Sequence, residues 1–362
     1  MGCAIDRELH RGLAKIHANL SLDGFPHISE SSKWVLTPDG AWTGGFWIGE
    51  LWISFEETGD ERYARHALRL MERLALRAEE TVNHDLGMLF YPSFVRGWEL
   101  TGDPSAREVA YRAAVSLAAQ FNERAGLLPG WGFFGTDRWR GQALIDTLMN
   151  VPLLVWAERE FADRRCGDVA RCHIGTSLRY HLRADGSTYQ VIRFDPQSGD
   201  VLGGETYQGA SSESCWARGQ AWAITGLALL SRMLGDASLS AAGRRAADYF
   251  LGHLPADLVP HWDLLVSGQG TPRDSSAAAI AAYGLLQLGG NDSRYAQAGR
   301  AIIGSLCDTY VGPSSAPGIL VHATADFPHG RGIDGCTVYG DYFFMRALCW
   351  LATNGATTQA RQ

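Results

Sequence analysis

The sequence alternates between two kinds of helical segment, and this alternation restricts its fold more than any other feature. One kind has Arg and Glu on one face and Leu, Ala or Ile at helical spacing on the other. The other kind is rich in small and aromatic residues with few charges, which is typical of helices buried on nearly every side. The amphipathic segments are 5–20, 60–78, 103–123, 161–182, 238–254 and 292–310, and the apolar segments are 45–57, 86–100, 143–158, 216–233, 274–288 and 340–353.

Turn residues separate the two kinds of segment. Thr58-Gly59-Asp60, Thr101-Gly102-Asp103 and Gly235-Asp236 each end an apolar segment and are suited to capping the next helix. The pattern recurs about every sixty residues. Because one helical hairpin cannot bury its apolar face alone, closing six of them into a ring completes the core. The sequence therefore predicts an all-α (α/α)6 toroid that residues 1–362 form as a single domain.

One segment, 185–209, interrupts this helical rhythm. Tyr189, Val191 and Phe194 alternate as in a strand, and Asp195-Pro196 begins a stretch rich in turn-forming residues. We predict a small β-hairpin here, inserted before the fourth apolar segment. Long irregular connections of a helical ring gather at one rim, and such loops commonly carry function.

Composition excludes several classes of partner. The net charge is −7, and 30 of the 32 basic residues are Arg spread along the whole chain, so nucleic acid is not predicted as a partner. The N-terminal stretch is charged where a secretion signal is apolar, and the most apolar stretch, 221–230, is about half of the ~20 residues of a membrane span. The seven cysteines are widely spaced and form no disulfide or zinc pattern. We expect a cytoplasmic monomer or small homo-oligomer without a membrane partner.

Carboxylates near the starts of the apolar segments are the main candidates for chemistry. Motifs for ATP, dinucleotides and zinc-dependent proteases are absent from the sequence, so no cofactor and no metal are predicted. Asp146 lies among aliphatic residues, a setting that raises a carboxyl pKa and suits a general acid. Asp85 is suited either to capping the following helix or to facing a central cavity. Asp274 and Asp341 carry the same ambiguity, and Asp274 has more the character of a cap.

The chain also contains 12 Trp residues. Indole faces stack on the apolar faces of sugar rings. Several Trp lie at or near the starts of the apolar segments, beside the carboxylates, which favours a carbohydrate pocket over core packing alone. Paired carboxylates beside stacking aromatic residues are typical of glycoside hydrolase active sites. The Trp concerned are Trp42, Trp47, Trp98, Trp131, Trp139, Trp216 and Trp222.

Eight motifs follow one another along nearly the entire chain: WTGGFWIG at 42–49, HDLG at 84–87, IDTLMN at 145–150, DGSTY at 185–189, FDP at 194–196, WARGQAW at 216–222, PRDSSA at 272–277 and YGDY at 339–342. Together they resemble glycoside hydrolase family 88, the unsaturated glucuronyl hydrolases. The related unsaturated rhamnogalacturonyl hydrolases share the toroid, but the motif ending at Trp222 is closer to that of the glucuronyl family.

The resemblance implies an enzyme acting on the sugar that polysaccharide lyases leave, a 4,5-unsaturated uronic acid at the non-reducing end of an oligosaccharide. The implied reaction is hydration of the C4=C5 enol ether, with Asp146 as general acid and base and Asp85 as the second essential carboxylate. Arg218 would offer its planar fork to the uronate carboxylate. The substrate-binding positions that the resemblance implies are Trp42, His84, Trp131, Gln190, Gln208, Trp216, Arg218 and Trp222.

Two positions depart from the family pattern. Gln190 stands where the family commonly has His, and Tyr207 stands where it commonly has His before Gln208. Each change removes an imidazole from the expected pocket. We therefore expect a substituent or linkage that differs from the usual glycosaminoglycan disaccharides.

Other functions on the same toroid remain open. One is an unsaturated rhamnogalacturonyl-type hydrolase, and another is an inverting glycosidase of saturated sugars, which needs carboxylates about 6.5–9.5 Å apart. A third is a sugar epimerase, although such enzymes normally use paired His residues and this chain has lost two imidazoles. The last is a sugar-binding protein in which the two carboxylates have no catalytic part.

Overall fold

The structure is a computed structural model that describes residues 2–132, 137–289 and 293–359, without the side chains of 2–4, 137–138 and 355–359. The α-helices are α1 (Gly2–Ala18), α2 (Gly44–Thr58), α3 (Glu61–Leu74), α4 (Leu86–Phe90), α5 (Arg96–Thr101), α6 (Pro104–Ala119), α7 (Val151–Phe161), α8 (Arg164–Tyr180), α9 (Ala217–Leu234), α10 (Ala237–Gly252), α11 (Ser275–Gly289), α12 (Arg294–Ser305) and α13 (Val338–Gln359). The strands are β1 (Phe25–Glu30), β2 (Lys33–Thr37), β3 (Gln142–Leu144), β4 (Val191–Phe194) and β5 (Val201–Glu205). The predicted all-α class is confirmed.

The inner helices contact one another in cyclic order. The order runs from α2 to α4, α7, α9, α11 and α13, and α13 contacts α2 again. Residues of α2, α9 and α11 are buried along most of each helix, as their scarcity of charge predicts. The helices α1, α3, α6, α8, α10 and α12 each pack against an inner neighbour. The two kinds of segment in the sequence are therefore the inner and outer helices.

The predicted turns join inner to outer helices. Gly59, Gly102 and Gly235 end α2, α5 and α9 with left-handed φ values of 66°, 70° and 68°. Asp60 and Asp103 follow two of these glycines, and their side chains accept backbone N–H groups of the next helix. These short connections hold each outer helix antiparallel to the inner helix before it.

Two motif glycines allow inner elements to approach one another closely. A Cβ atom on Gly45 would lie 2.3 Å from the carbonyl oxygens of Met88 and Leu89, and one on Gly87 would lie 2.2 Å from the Cα of Asn150. Any side chain at either position would force the backbones apart. The start of α4 thus packs against both α2 and the segment before α7.

Three local features differ from the predicted elements. The segment 86–100 is not one regular helix, because a π-helical stretch, Tyr91–Val95, separates α4 from α5. The segment 143–158 starts with the end of β3 and continues as a 3-10 helix, Ile145–Met149, before α7. The antiparallel pair of β1 and β2 has no counterpart in the prediction. The predicted hairpin is confirmed as β4 and β5, and β3 joins it as a third strand.

Within the described residues, no helix combines the length and the apolar character needed to cross a membrane.

Candidate functional site

The predicted site residues gather where the inner helices begin. His84 and Asp85 directly precede α4, and Asp146 lies in the 3-10 helix before α7. The strand β3 leads into that 3-10 helix and pairs with β4, with Leu144 opposite Val191. The hairpin is therefore anchored beside the candidate catalytic carboxylates.

His84 lies between the two carboxylates. Its Nε2 atom is 3.4 Å from Asp85 Oδ1 and 3.5 Å from Asp146 Oδ1. Its Nδ1 atom accepts the backbone N–H of Trp131 at 3.4 Å. This bond assigns the proton of the neutral ring to Nε2, where it faces both carboxylates. The structure thus brings Asp85, His84 and Asp146 together in one cluster.

Burial perturbs the titration of this cluster. Burial raises the pKa of Asp85 to about 6; the Asp146 charge adds to this increase, and His84 opposes it. Burial lowers the pKa of His84, but the charges of Asp85 and Asp146 outweigh this effect, so that the pKa is raised overall. Asp85 and His84 therefore influence each other's ionisation, and neither titrates as an independent residue.

The Asp85 side chain does not cap α4. It accepts no hydrogen bond from the first turn of that helix, although the residue occupies the capping position. Asp274, in contrast, caps α11, because its Oδ1 accepts the backbone N–H of Ser276 at 3.1 Å. Asp341 also serves the fold, since it accepts the N–H groups of Ile319 and Leu320 at 2.7 and 2.8 Å. Of these three aspartates, Asp85 belongs to the candidate site.

The four Trp residues that are predicted to bind substrate differ in exposure. Trp42 is half-buried and stacks on Tyr339, with ring centroids 4.9 Å apart. Trp131 is also half-buried, and its ring lies 5.4 Å from that of Tyr207. Trp216 and Trp222 are buried, and Trp222 retains only 1% of its surface. Trp42 and Trp131 therefore have faces available to a sugar, whereas Trp216 and Trp222 form the wall behind.

Arg218 occupies a different environment from the one predicted. Its side chain is 1% exposed, and its Nη1 atom lies 3.0 Å from the Asp274 carboxylate. The same atom donates to the Thr324 carbonyl at 2.6 Å, and Nη2 donates to the Ala325 carbonyl. The guanidinium is consequently not an open fork for a substrate carboxylate. Within the described residues, Nε is the only guanidinium nitrogen of Arg218 that has no hydrogen-bond partner.

Gln190 also faces the protein rather than an open pocket. Its Oε1 atom accepts the Thr206 hydroxyl at 2.7 Å and the N–H groups of Tyr207 and Gln208, each at 2.8 Å. Its amide group donates to Gln208 Oε1 at 2.8 Å. The Gln208 amide donates in turn to the Ala325 carbonyl at 3.0 Å. Gln190 therefore fixes the loop that follows the hairpin.

The rim of the site, formed by Tyr207 and the loop at 326–329, includes several residues that were not predicted from the sequence. The Tyr207 ring stacks on His329 at 4.0 Å, and His329 Nδ1 lies 2.8 Å from Asp326. Phe327 of the same loop stacks on Trp262 at 4.5 Å. This loop lies in the long non-helical stretch before α13, and that length is the one signal in the sequence that points to it.

The described residues contain no group of three His, Cys, Asp or Glu side chains arranged to hold a metal ion.

Comparison with known proteins shows which proteins this chain is similar to. A family model described as Glycosyl Hydrolase Family 88 matches residues 21–311. An unsaturated glucuronyl hydrolase of Bacillus sp. strain GL1 is 39% identical over 341 residues, covering 90% of each chain. An unsaturated chondroitin disaccharide hydrolase of Streptococcus pneumoniae is 35% identical, covering 96% of this chain and 91% of the relative. The crystal structure of unsaturated glucuronyl hydrolase from Bacillus sp. GL1 covers 97% of both chains, with 37% identity and a TM-score of 0.91.

Proposed function

The chain belongs to glycoside hydrolase family 88, and from this membership we propose that it removes a 4,5-unsaturated uronic acid from the non-reducing end of lyase-generated oligosaccharides. The observation that supports the chemistry best is the cluster of Asp85, His84 and Asp146 at the start of neighbouring inner elements. Residues 1–362 form a single (α/α)6 toroid in this proposal. The finding that the inner helices contact in cyclic order supports that architecture.

The reaction is hydration of the C4=C5 enol ether. Asp146 donates a proton to C4 while a water molecule attacks C5, and the Asp146 carboxylate takes the proton that this water loses. The product is a hemiketal at C5. The hemiketal opens and releases the rest of the saccharide, so that one water molecule is consumed in each turnover.

Asp85 and His84 prepare Asp146 for this exchange. The Asp85 carboxylate lies beside the same His84 nitrogen as Asp146, where it is placed to orient the substrate or the attacking water. His84 donates from Nε2 and holds both carboxylates in place, and its bond from Trp131 fixes the ring. This arrangement supports a cycle in which Asp146 alternates between acid and base while Asp85 remains ionised.

The sugar lies between the half-buried aromatic faces of Trp42 and Trp131 in this proposal. Arg218 acts from behind this surface, where it fixes the backbone at Thr324 and Ala325. Gln208 contributes through the loop that Gln190 fixes. Trp216 and Trp222 support the pocket from the core.

The geometry disfavours an inverting glycosidase of saturated sugars. Such enzymes place their carboxylates about 6.5–9.5 Å apart, on opposite faces of the sugar ring. The Oδ1 atoms of Asp85 and Asp146 lie 3.4 and 3.5 Å from one nitrogen, so they are at most about 7 Å apart and closer for any bend at that nitrogen. This limit reaches only the lower end of the inverting range.

The ultraviolet absorbance of the conjugated C4=C5 bond tests the reaction directly, since hydration removes it. We expect loss of absorbance with unsaturated disaccharides from lyase-treated polyuronides. Asp146→Asn should lower kcat by a factor on the order of 10²–10⁴, because it removes the proton donor. Binding of the disaccharide, measured by calorimetry, should persist in that variant.

Asp23→Asn is the matched control, because the Asp23 side chain is fully exposed and should retain parental activity. The substrate panel includes unsaturated rhamnogalacturonan disaccharides and saturated uronides. If the enzyme hydrates only the unsaturated rhamnogalacturonan disaccharides, its activity is of the rhamnogalacturonyl type. Turnover of saturated uronides alone would contradict hydration, and sugar binding without any turnover would indicate a binding protein.

A further inference from the structure

A cavity separate from the carboxylate cluster is lined by residues of the inner helices and of the segments next to the candidate catalytic site. Its volume is about 160 Å³. For comparison, an apolar protein cavity of roughly 150 Å³ accommodates a benzene molecule. The cavity runs from the turns next to the carboxylates toward the far ends of the inner helices. Its apolar wall consists of Phe46, Met88, Val95, Met149, Pro152, Leu229 and Phe343.

Polar groups gather at the end of this cavity that is remote from the carboxylates. Tyr91, Arg96, Tyr283 and Arg346 line the cavity and also line a larger basin of about 660 Å³, which opens at the C-terminal ends of the inner helices. A ligand entering from the basin would therefore pass the polar groups before reaching the apolar wall. An apolar volume with a few convergent polar groups is the usual form of a small-molecule site.

Arg346 is a cation without a carboxylate partner in the described part of the chain. No carboxylate lies within 4.0 Å of its guanidinium, whose Nη2 atom donates to the Tyr283 hydroxyl at 3.0 Å. The pKa of Arg346 is raised above its ordinary value, chiefly by the charge interaction with Tyr283. By contrast, Arg96 is paired with Glu56 and Glu99. Glu99 lines the same cavity, and its ion pair with Arg96 balances its charge there.

The dipole of α13 itself does not explain why an arginine stands at position 346. Cations near a helix C-terminus balance the negative end of the helix dipole, and this effect is confined to the last turn. Arg346 lies more than two turns from either end of α13. Arg346 is half-buried, and a partly desolvated charge gains free energy from an ionic partner, for which the cavity has room.

We propose that this cavity binds a small carboxylate with a flat apolar body, of the benzoate class. The ring would fill the apolar volume between Met149 and Phe343, and the carboxylate would accept two N–H groups from Arg346 and the hydroxyl of Tyr283. A guanidinium matches a carboxylate in this bidentate geometry. A sugar fits poorly, because its hydroxyl groups would find no partners along the apolar wall.

Crystallography with 4-bromobenzoate locates the ligand, since the bromine gives an anomalous signal. We expect bromine in the apolar cavity and the carboxylate on Arg346. In calorimetry, benzoate should bind at least tenfold more tightly than acetate, which lacks the ring, and than benzyl alcohol, which lacks the charge. Bromine found only at the carboxylate cluster of Asp85 and Asp146, or no binding at all, would overturn the proposal.

Matched variants separate this site from general attraction to arginines. Arg346→Met should weaken benzoate binding at least tenfold, and Leu229→Trp should abolish binding by filling the cavity. Arg159→Met is the control, because Arg159 is exposed and lines only the outer basin. If Arg346→Met fails to fold, the ligand comparison on the parent protein still decides. Equal binding by Arg346→Met and the parent would refute the assignment.

Discussion

His84 couples the two candidate catalytic carboxylates. An imidazole Nε2–H that faces both Asp85 and Asp146 lets one proton stabilise two negative groups at the same time. The raised pKa of Asp85, about 6, places its ionisation close to neutral pH. Because Asp85 acts in its ionised form in our proposal, the activity should fall as the pH drops below this value.

His84→Asn tests this coupling. An asparagine Oδ1 can replace Nδ1 as the acceptor of the Trp131 N–H, but the variant removes the group that lowers the pKa of Asp85. With that opposition gone, the pKa of Asp85 should rise. Since the ionised Asp85 supports catalysis in our proposal, the acid limb of kcat/KM should move from near pH 6 to higher pH.

The measurement is the pH profile of absorbance loss for parent and variant between pH 4 and 9. His10→Asn serves as control, because His10 lies on the exposed face of α1. An acid limb that stays in place, or that moves to lower pH in His84→Asn, would contradict the coupling.

For individual residues, the sequence motifs predicted which side chains come together but not how exposed they are. Asp85, His84 and Asp146 form the expected cluster. Arg218 lies behind the site instead, buried against Asp274 and two carbonyl groups. Its carbonyl partners, at Thr324 and Ala325, lie in an irregular loop more than 100 residues away. Sequence spacing carries no information about such a contact.

The loop that follows the β4–β5 hairpin depends on one side chain. Gln190 accepts three hydrogen bonds from Thr206, Tyr207 and Gln208 with a single amide oxygen. This loop carries the Tyr207 ring, which stacks on His329 across the rim. The glutamine thus acts on the shape of the rim, although the sequence suggested direct contact with substrate.

Gln190→Leu should therefore disturb the rim more than the reaction. The substitution leaves three donors unpaired, at a cost of about 1–3 kcal/mol for each donor that stays buried. We expect KM for unsaturated disaccharides to rise by about tenfold or more, with a smaller change in kcat. Steady-state kinetics from the absorbance assay measure both constants.

Gln190→His is the companion variant. An imidazole offers one acceptor at most and carries a different shape, so it should shift substrate preference as the rim rearranges. An unchanged KM in Gln190→Leu, or an unchanged substrate ranking in Gln190→His, would count against a role for Gln190 in the rim.

The helices were predictable because their pattern arises from local burial. A helix surrounded by others contains small and aromatic residues along its length, as α11 does, and this composition is visible in the sequence. The π-helical stretch Tyr91–Val95 was not predictable, since it reflects how α4 and α5 pack against their neighbours. The β1–β2 pair was missed because its short strands lack a clear alternating pattern.

The ring as a whole has two chemically different ends. Inner helices begin at the carboxylate cluster, so their positive dipole ends face the candidate catalytic site. That arrangement suits an anionic uronate and offsets the two aspartates. The far end combines the negative dipole ends with Arg159, Arg232 and Arg346. The candidate catalytic site and the proposed carboxylate cavity therefore lie toward opposite ends of the inner helices.

Closure also buries acidic groups that carry no part of the proposed chemistry. Burial raises the pKa of Glu50 well above its ordinary value, and the nearby Asp341 adds to the effect. Burial likewise raises the pKa of Asp341 to about 7, although the N–H groups of Leu320 and Ile319 oppose the increase. Both groups therefore bind protons more tightly in the folded chain than in the unfolded chain.

Glu50→Gln tests the consequence for stability. When the folded pKa exceeds the unfolded pKa, stability is complete below the unfolded value, near pH 4, and is lost as pH rises through the folded value. The free energy of unfolding should therefore fall between pH 5 and 8 in the parent, by up to about 1.4 kcal/mol per pH unit for each group. Gln cannot ionise, so the variant should have a shallower slope and exceed the parent at pH 8. Urea unfolding across this range measures both slopes, with the exposed Glu30→Gln as control, and parallel slopes for parent and Glu50→Gln would refute the linkage.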